Sequence, residues 1–209
     1  MTTSPASPRD AKPGRRARGS ISRAQIVEAA HRILARSPSD QVTVRSLAAE
    51  LHAAPMSLYR HMDSKDDVLD EVVDELLARV RPPRVRESDW RRYLTSAADA
   101  FRAFLVEQPA ALHVYLRHPV SSPAALARME AMLRAFRSAG CSARQAERAY
   151  ASVHTYTIGF AALEANRAEY VAASDSTEID TRLAGFTTAR QFRAGLDYLL
   201  DGIAADTRT

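Results

Sequence analysis

The sequence predicts an all-α protein: an N-terminal three-helix unit of the helix-turn-helix kind, followed by a larger helical domain. Three observations lead there. Apolar residues recur at helical spacing, and no stretch sustains the alternation of a half-buried strand. Capping residues, prolines and glycines punctuate the chain at intervals that suit helices. Between Val42 and Lys65, VTVRSLAAELHAAPMSLYRHMDSK writes two short helices and a tight turn into a form that fits a DNA major groove.

The elements follow in order. Residues 1–19 hold Arg9, Lys12, Arg15, Arg16 and Arg18 against Asp10, amid Ser, Pro, Gly and Thr that cannot form a core, and read as a disordered basic arm. Two uses of the arm stay open, phosphate or minor-groove contact and a plain solvated tail. Ser22 and Gln25 form a capping-box signature before Ile26, Ala29, Ala30, Ile33 and Leu34, predicting a first helix that ends near Ser37-Pro38. Thr43 is positioned to cap a short helix with Val44, Leu47, Ala48 and Leu51 on one stripe. After His52, Ala53 and Ala54, Pro55 suits a first helical position, opening a second short helix to about His61. Leu58 is its inward anchor, leaving Met56, Ser57, Tyr59 and His61 to project elsewhere. Residues 20–66 thus form a DNA-binding unit.

Ser64 and Asp67 signal the next helix, from Lys65 through Val68, Leu69, Val72, Val73, Leu76, Leu77 and Val80 to the stop at Pro82-Pro83. It links the DNA-binding unit to residues 67–209, a position from which movement can be transmitted. Ser88 is expected to cap a helix from Asp89 to Val106, and Pro109 and Pro119 bracket one near Ala111 to Arg117. Pro123 starts another that Gly140 ends, and Ser142 caps the longest, to about Tyr170. Ala172 to Asp180 reads as a loop with a short helical turn after it, and Thr188 with Gln191 caps a last helix ending near Ala205.

The two late helices, 143–170 and 189–205, have the look of an interface. Ala146, Ala149, Tyr150, Val153, Thr157, Phe160 and Ala161 form one face of the first, and Ala151, Thr155, Ile158, Ala162 and Ala165 another. A helix apolar on two sides is buried on two sides. In the last helix Phe192, Leu196, Leu199, Leu200 and Ile203 make a stripe beside Gly195 and Gly202, whose cost of about 1 kcal/mol each relative to Ala is offset by close helix approach. Homodimerisation through a four-helix bundle accounts for both; the competing reading is core within one subunit.

Bulk properties narrow the class. A net charge of +4 and a pI near 9.5 suit an acidic polymer as partner, and 46% hydrophobic content supplies a sizeable core. No run approaches the roughly 18 apolar residues of a membrane span, and the N-terminus has no apolar signal region, so the chain reads as cytoplasmic. The single cysteine, Cys141, rules out an intrachain disulfide and a Cys-based metal site. No cofactor is called for. An all-helical enzyme is the rival from another class, but His31, His52, His61, His113, His118 and His154 show no metal-ligand spacing, and no phosphate loop or nucleophile motif occurs. A DNA-binding protein that answers to no effector is a further alternative, which an enclosed aromatic pocket would count against.

Thr43, Arg45, Leu47-Ala48, Leu51, Ser57-Leu58-Tyr59-Arg60-His61 and Lys65 followed by Leu69 resemble the signature of the TetR family of bacterial repressors. Trp90, Leu94, Phe101-Arg102, Pro119, Gly140, Gly159 and the segment Phe192 to Gly202 extend the resemblance toward the tetracycline-repressor branch, over roughly residues 20 to 205. One departure is His52-Ala53 where the family has Gly-Val, which requires His52 to adopt the left-handed conformation or the turn to differ.

The resemblance implies a homodimer on a palindromic operator, its half-sites related by whole helical turns of about 34 to 36 Å. It makes Thr43, Arg45, Met56, Ser57, Tyr59, His61 and Lys65 the expected DNA contacts. Arg45 can fork to guanine O6 and N7; Tyr59, His61 and Lys65 suit phosphates; Ser57 and Met56 suit base edges or a thymine methyl. It also implies a small-molecule effector in the helical domain. Candidate lining residues are Phe101, Phe104, His113, Tyr115, Met129, Met132, Phe136, Tyr150 and His154, with Tyr93, Leu105, His118 and Leu133 as further members. Where the tetracycline repressor has a magnesium-binding histidine, an asparagine and a glutamine, this chain aligns Tyr115, Ala97 and Met132. The expected effector is therefore largely apolar and metal-free, with one or two polar handles.

Overall fold

The computed structural model describes residues 21–36, 41–81, 83–117, 122–173 and 185–207, with side chains left aside at 168–173. The basic arm, Pro38, Pro82, His118 and Pro119 lie outside the described residues. The elements are α1 (Arg23–Leu34), α2 (Val44–Glu50), α3 (Pro55–Leu58), α4 (Lys65–Ala78), α5 (Trp90–Glu107), α6 (Pro109–Arg117), α7 (Pro123–Ser138), α8 (Ala143–Ala173), a 3-10 turn (Gly185–Thr187) and α9 (Ala189–Asp206). No strand occurs among the described residues.

Local chemistry explains the starts. Ser22 Oγ accepts from the Gln25 amide at 3.3 Å while Gln25 Oε1 accepts from the Ser22 amide at 2.9 Å, so two orphan donors of α1 are satisfied. Thr43 and Ser46 make the same reciprocal pair at α2, at 3.0 and 2.9 Å. Ser64, Ser122, Ser142 and Thr188 each accept from the amide three residues on. His52 sits at φ 51°, the left-handed conformation that lets α2 turn into α3 where a glycine would ordinarily serve. Gly140 at φ 96° ends α7 in the same manner.

Several boundaries differ from expectation. Ser88 does not cap α5: the Asp89 amide bonds the Arg86 carbonyl at 3.0 Å, closing a turn over Ser88, and Asp89 holds the cap position without a side-chain bond. α1 stops at Leu34, because the Ala35 and Arg36 amides fall back on His31 and Ile33. α4 stops at Ala78, tightened by Arg79 and Val80 amides bonding Leu76 and Leu77. α3 is a single turn followed by a turn through His61, α6 begins at Pro109, and α8 continues through Ala172 and Ala173.

Two apolar clusters hold these helices. One runs without a break from Ile26, Leu47 and Leu58 through Val68 and Val72 to Phe101, Leu105, Leu112 and Ala161. The DNA-binding unit therefore shares its core with α4, α5, α6 and α8. The other gathers Leu94, Phe136, Val153, Phe160, Phe192, Leu196 and Leu200 from α5, α7, α8 and α9. Along the α5–α8–α9 seam, Arg102 pairs with Glu164 at 2.6 Å and lies near Asp99 and over the Phe192 ring, while Asp99 also takes Arg193 Nε at 3.0 Å. Gly195 has Tyr156 of α8 packed directly against it, so its close approach is made inside the subunit. Among the described residues nothing lies within 4 Å of where a Cβ on Gly159 or Gly202 would sit.

Candidate DNA-reading surface and effector cavity

Leu47 and Leu58 are fully buried and pin α2 and α3 from beneath. That anchoring turns the remaining side chains outward: Arg45 is exposed, Met56 is 75% exposed and Tyr59 50%. Thr43 is exposed, although its Oγ1 serves the α2 cap. Ser57 is half-buried and donates its hydroxyl proton to the Ala54 carbonyl at 2.6 Å, leaving its oxygen as an acceptor. His61 and Lys65 are half-buried, the latter at the first position of α4, where the helix dipole adds positive potential. Arg60, exposed on the same stretch, is a cation that the sequence list lacked.

Charge pairing divides this unit in two. On its flank, Arg23 binds Asp67 and Glu71 at 2.8 and 2.6 Å, Arg32 binds Glu28 and Glu50, and Arg36 also binds Glu50. Hydrogen bonds from Arg36 and then Arg32 pull the Glu50 carboxyl down to about 2. These pairs lace α1 to α2 and α4. On the reading side Arg45, Arg60 and Lys65 form no salt bridge among the described residues, so their charge is free for phosphate or base edges.

The helical domain holds two adjoining cavities, each partly open to solvent. The smaller, about 60 Å³, is lined by Phe101, Tyr115, Met129, Met132, Tyr150 and His154, with Ala98, Ala125, Leu126, Arg128 and Thr157 completing it. Its rings form a stacked set: Phe101 on His154 at 5.5 Å, His154 on Tyr150 at 5.1 Å, and Tyr115 edge-on to Phe101 at 5.2 Å. The larger, about 310 Å³, opens between α4, α5 and α7, with Leu77, Val80, Tyr93, Ala97 and Ala131 in its wall. Arg128 and Met132 belong to both.

Six of the nine proposed lining residues therefore meet at one cavity: Phe101, Tyr115, Met129, Met132, Tyr150 and His154. Three do not line either cavity. Phe136 is fully buried in the α5–α7–α8–α9 cluster, Phe104 packs behind Phe101 with ring centroids 6.3 Å apart, and His113 lies near Arg117 at 3.4 Å. Tyr93 lines the larger cavity, whereas Leu105 is core and Leu133 packs at its edge. Arg128 was missed, because an individual arginine on a predominantly apolar helix carries no signal of its own in the sequence.

Burial sets the electrostatics. It pushes the phenols of Tyr115, Tyr150 and Tyr93 up and the His154 imidazole down, so all four are neutral near pH 7. Burial lowers Arg128 as well, yet an arginine starts high enough to keep its proton.

A pair of short helices whose outward cations Arg45 and Arg60 have no carboxylate partner among the described residues, joined through a shared core to a domain with an aromatic cavity, defines a DNA-binding regulator of the helix-turn-helix class. Comparison with known proteins places it further. Residues 26–72 match the model of bacterial regulatory proteins of the tetR family, and residues 82–186 match the tetracyclin repressor-like C-terminal domain. The chain belongs to the TetR family of transcriptional regulators, and its relatives are regulators, not enzymes. It is 31% identical over 201 residues to an HTH-type transcriptional regulator of Saccharopolyspora erythraea, covering 87% of this chain and 84% of that protein.

Among solved structures it is similar to BioQ of Mycobacterium smegmatis, at 30% identity and a TM-score of 0.66 over 88% of this chain and 99% of that one. BioQ has also been solved with its double-stranded DNA operator (27% identity, TM-score 0.70, 88% of this chain and 99% of that one). ActR of Streptomyces coelicolor, solved with (S)-DNPA, shares the fold at 21% identity and a TM-score of 0.71 over 90% of this chain and 98% of that one.

Proposed function

We propose that this regulator is a homodimeric repressor that holds a palindromic operator and is released from it by a small, largely apolar effector. On this reading residues 20–66 read DNA and residues 67–209 bind effector and pair the subunits. The observation that carries it is the cavity: an aromatic chamber whose neighbour is walled by the C-terminal end of α4, the helix that leads to the reading surface. An effector-independent DNA-binding protein has no use for such a chamber.

Thr43, Arg45, Met56, Ser57, Tyr59, His61 and Lys65 meet the operator, with Arg60 added from its exposure. Met56, with Pro55 beside it, is where operator preference is set. The subunits pair through the outward faces of α8 and α9, where Leu163 is 54% and Tyr198 76% exposed and where Gly159 and Gly202 leave open room. The likeness of BioQ, which has been solved on its operator, supports the DNA role. Repressors of this class act in the cytoplasm, and no helix among the described residues is long and apolar enough to cross a membrane.

An effector releases DNA only if it prefers the arrangement that cannot bind, typically by about 1 to 3 kcal/mol. Fluorescence anisotropy on duplexes from the chain's own upstream region tests the reading. Selective binding over a scrambled duplex is expected, and Arg45→Ala is expected to weaken it by about 1 to 3 kcal/mol per half-site. Equal affinity for both duplexes, unmoved by Arg45→Ala, would overturn it.

A further inference from the structure

Among the described residues the two cavities are lined by one formal charge and no group that neutralises it. Arg128 stands in the wall that the two chambers share, with its guanidinium 5.7 Å above the Phe101 ring. Among the described residues no aspartate or glutamate lines either chamber. The groups whose charge is felt at Arg128 are the phenols of Tyr115, Tyr93 and Tyr150, all held neutral by burial. The Thr157 hydroxyl donates its proton to the Val153 carbonyl at 2.7 Å and makes no hydrogen bond with Arg128. Among the described residues Arg128 makes no salt bridge and no hydrogen bond.

Arg102, on the other side of the domain core, shows what this protein does with a buried guanidinium that serves structure. Its Nη1 donates to both oxygens of Glu164 at 2.8 and 2.6 Å, and its Nη2 lies 3.5 Å from Asp99. Arg128 receives none of this. Arg128 is half-buried, so its fork keeps some contact with water while its stem and one side lie in the chamber wall, and a partly desolvated cation beside an aromatic face gains from an arriving anion. The Phe101 ring lies beneath the guanidinium, and a planar fork with free N–H donors matches the two oxygens of a carboxylate or sulfonate.

We infer that Arg128 is the anion-binding residue of the effector site, and that the effector is an organic acid with an aromatic or similarly flat apolar body. The inference rests on the effector-released repressor reading and names the ligand class it requires. The acid group pairs with Arg128. The body lies against Phe101, Tyr115, Tyr150 and His154 or extends past Met132 into the larger chamber. The site also has a route to DNA. One turn before Arg128, the Ala124 amide donates to Asp74 of α4 at 3.1 Å, so a pull on Arg128 is a pull on the joint between α7 and α4.

Two fluorescent probes with the same rings and different charge test this on the full chain: 1-anilinonaphthalene-8-sulfonate and neutral N-phenyl-1-naphthylamine. Each is titrated against wild type, Arg128→Gln, Arg128→Lys and the surface control Arg144→Gln. The wild type is expected to prefer the sulfonate by about tenfold or more, the scale of one charge-assisted hydrogen-bond pair. Arg128→Gln is expected to bring the ratio near one, Arg128→Lys to hold part of it, and Arg144→Gln to leave it as in wild type. Saturable binding of both probes with equal affinity, or a preference that survives Arg128→Gln, would overturn the anion assignment while the chamber stood. If neither probe saturates, the effector site fails and the anion assignment with it.

Discussion

The two sides of α5 differ in how they are filled. Toward α8 and α9 the seam is closed: Arg102 is matched by carboxylates, Phe192 is fully buried, and Tyr156 leans on Gly195 while its hydroxyl donates to the Phe192 carbonyl at 3.0 Å. Toward α6 and α7 the domain is open, with rings around a void and Arg128 left without a counterion. A chain able to close one side of a helix so completely has the means to close the other. The difference teaches that the ion pairing is concentrated in the seam, where among the described residues only Arg102 Nε stays without a partner, while the open side carries a half-buried cation with room beside it.

The strongest way to break this contrast is to remove each arginine. Arg102→Met leaves Glu164 beside an apolar core without its cation and is expected to cost about 3 to 5 kcal/mol in denaturant unfolding. Arg128→Met has no partner to orphan and is expected to change stability by less than about 1 kcal/mol without ligand. Equal losses would erase the distinction.

A smaller effect sharpens the seam itself. A Cβ at Gly195 would fall on the Tyr156 hydroxyl, so Gly195→Ala is expected to lose about 1 to 3 kcal/mol despite the better helix propensity of alanine. Adding Tyr156→Phe removes the nearest atom and is expected to restore part of the loss, read as a coupling in a double-mutant cycle.

The smallest effect belongs to the open side and is seen in pH. Burial lowers the His154 pKa below its unfolded value of about 6.5, so the unfolded chain takes up that proton first. Above pH ~6.5 both states are neutral and stability is level; as pH falls below it, stability declines until the folded imidazole also protonates. The melting temperature is expected to drop between about pH 7 and 5, and His154→Phe to flatten that slope. An unchanged slope would mean His154 is not held neutral.

Much of this was legible in the residues. Ser22-Gln25, Thr43, Pro55, Ser64, Pro123, Gly140, Ser142 and Thr188 mark helix ends because capping is local chemistry, decided within a turn. Ser88 misled because the deciding bond, Asp89 to Arg86, is a backbone event that favours no particular side chain. In the site, periodicity gathered Phe101, Tyr115, Tyr150 and His154 but could not separate the two sides of α7. Met132 and Phe136 are one turn apart on that helix, yet Met132 faces the void and Phe136 the core, since the division depends on which neighbour stands opposite. Arg128 stayed hidden for the complementary reason. Its role comes from the carboxylates that are absent around it, and a one-dimensional pattern does not show an absence in space.

The length of α4 has a mechanical consequence. Its 14 residues make a rod of about 21 Å at ~1.5 Å per residue, with Leu77 at the larger chamber and Lys65 beside the reading surface. A swing of about 6° about one end carries the other through about 2 Å, and a hydrogen bond of about 3 Å does not survive that stretch. Gearing of this kind lets a displacement at the chamber too small to disturb the packed seam be spent at the far end, against a phosphate.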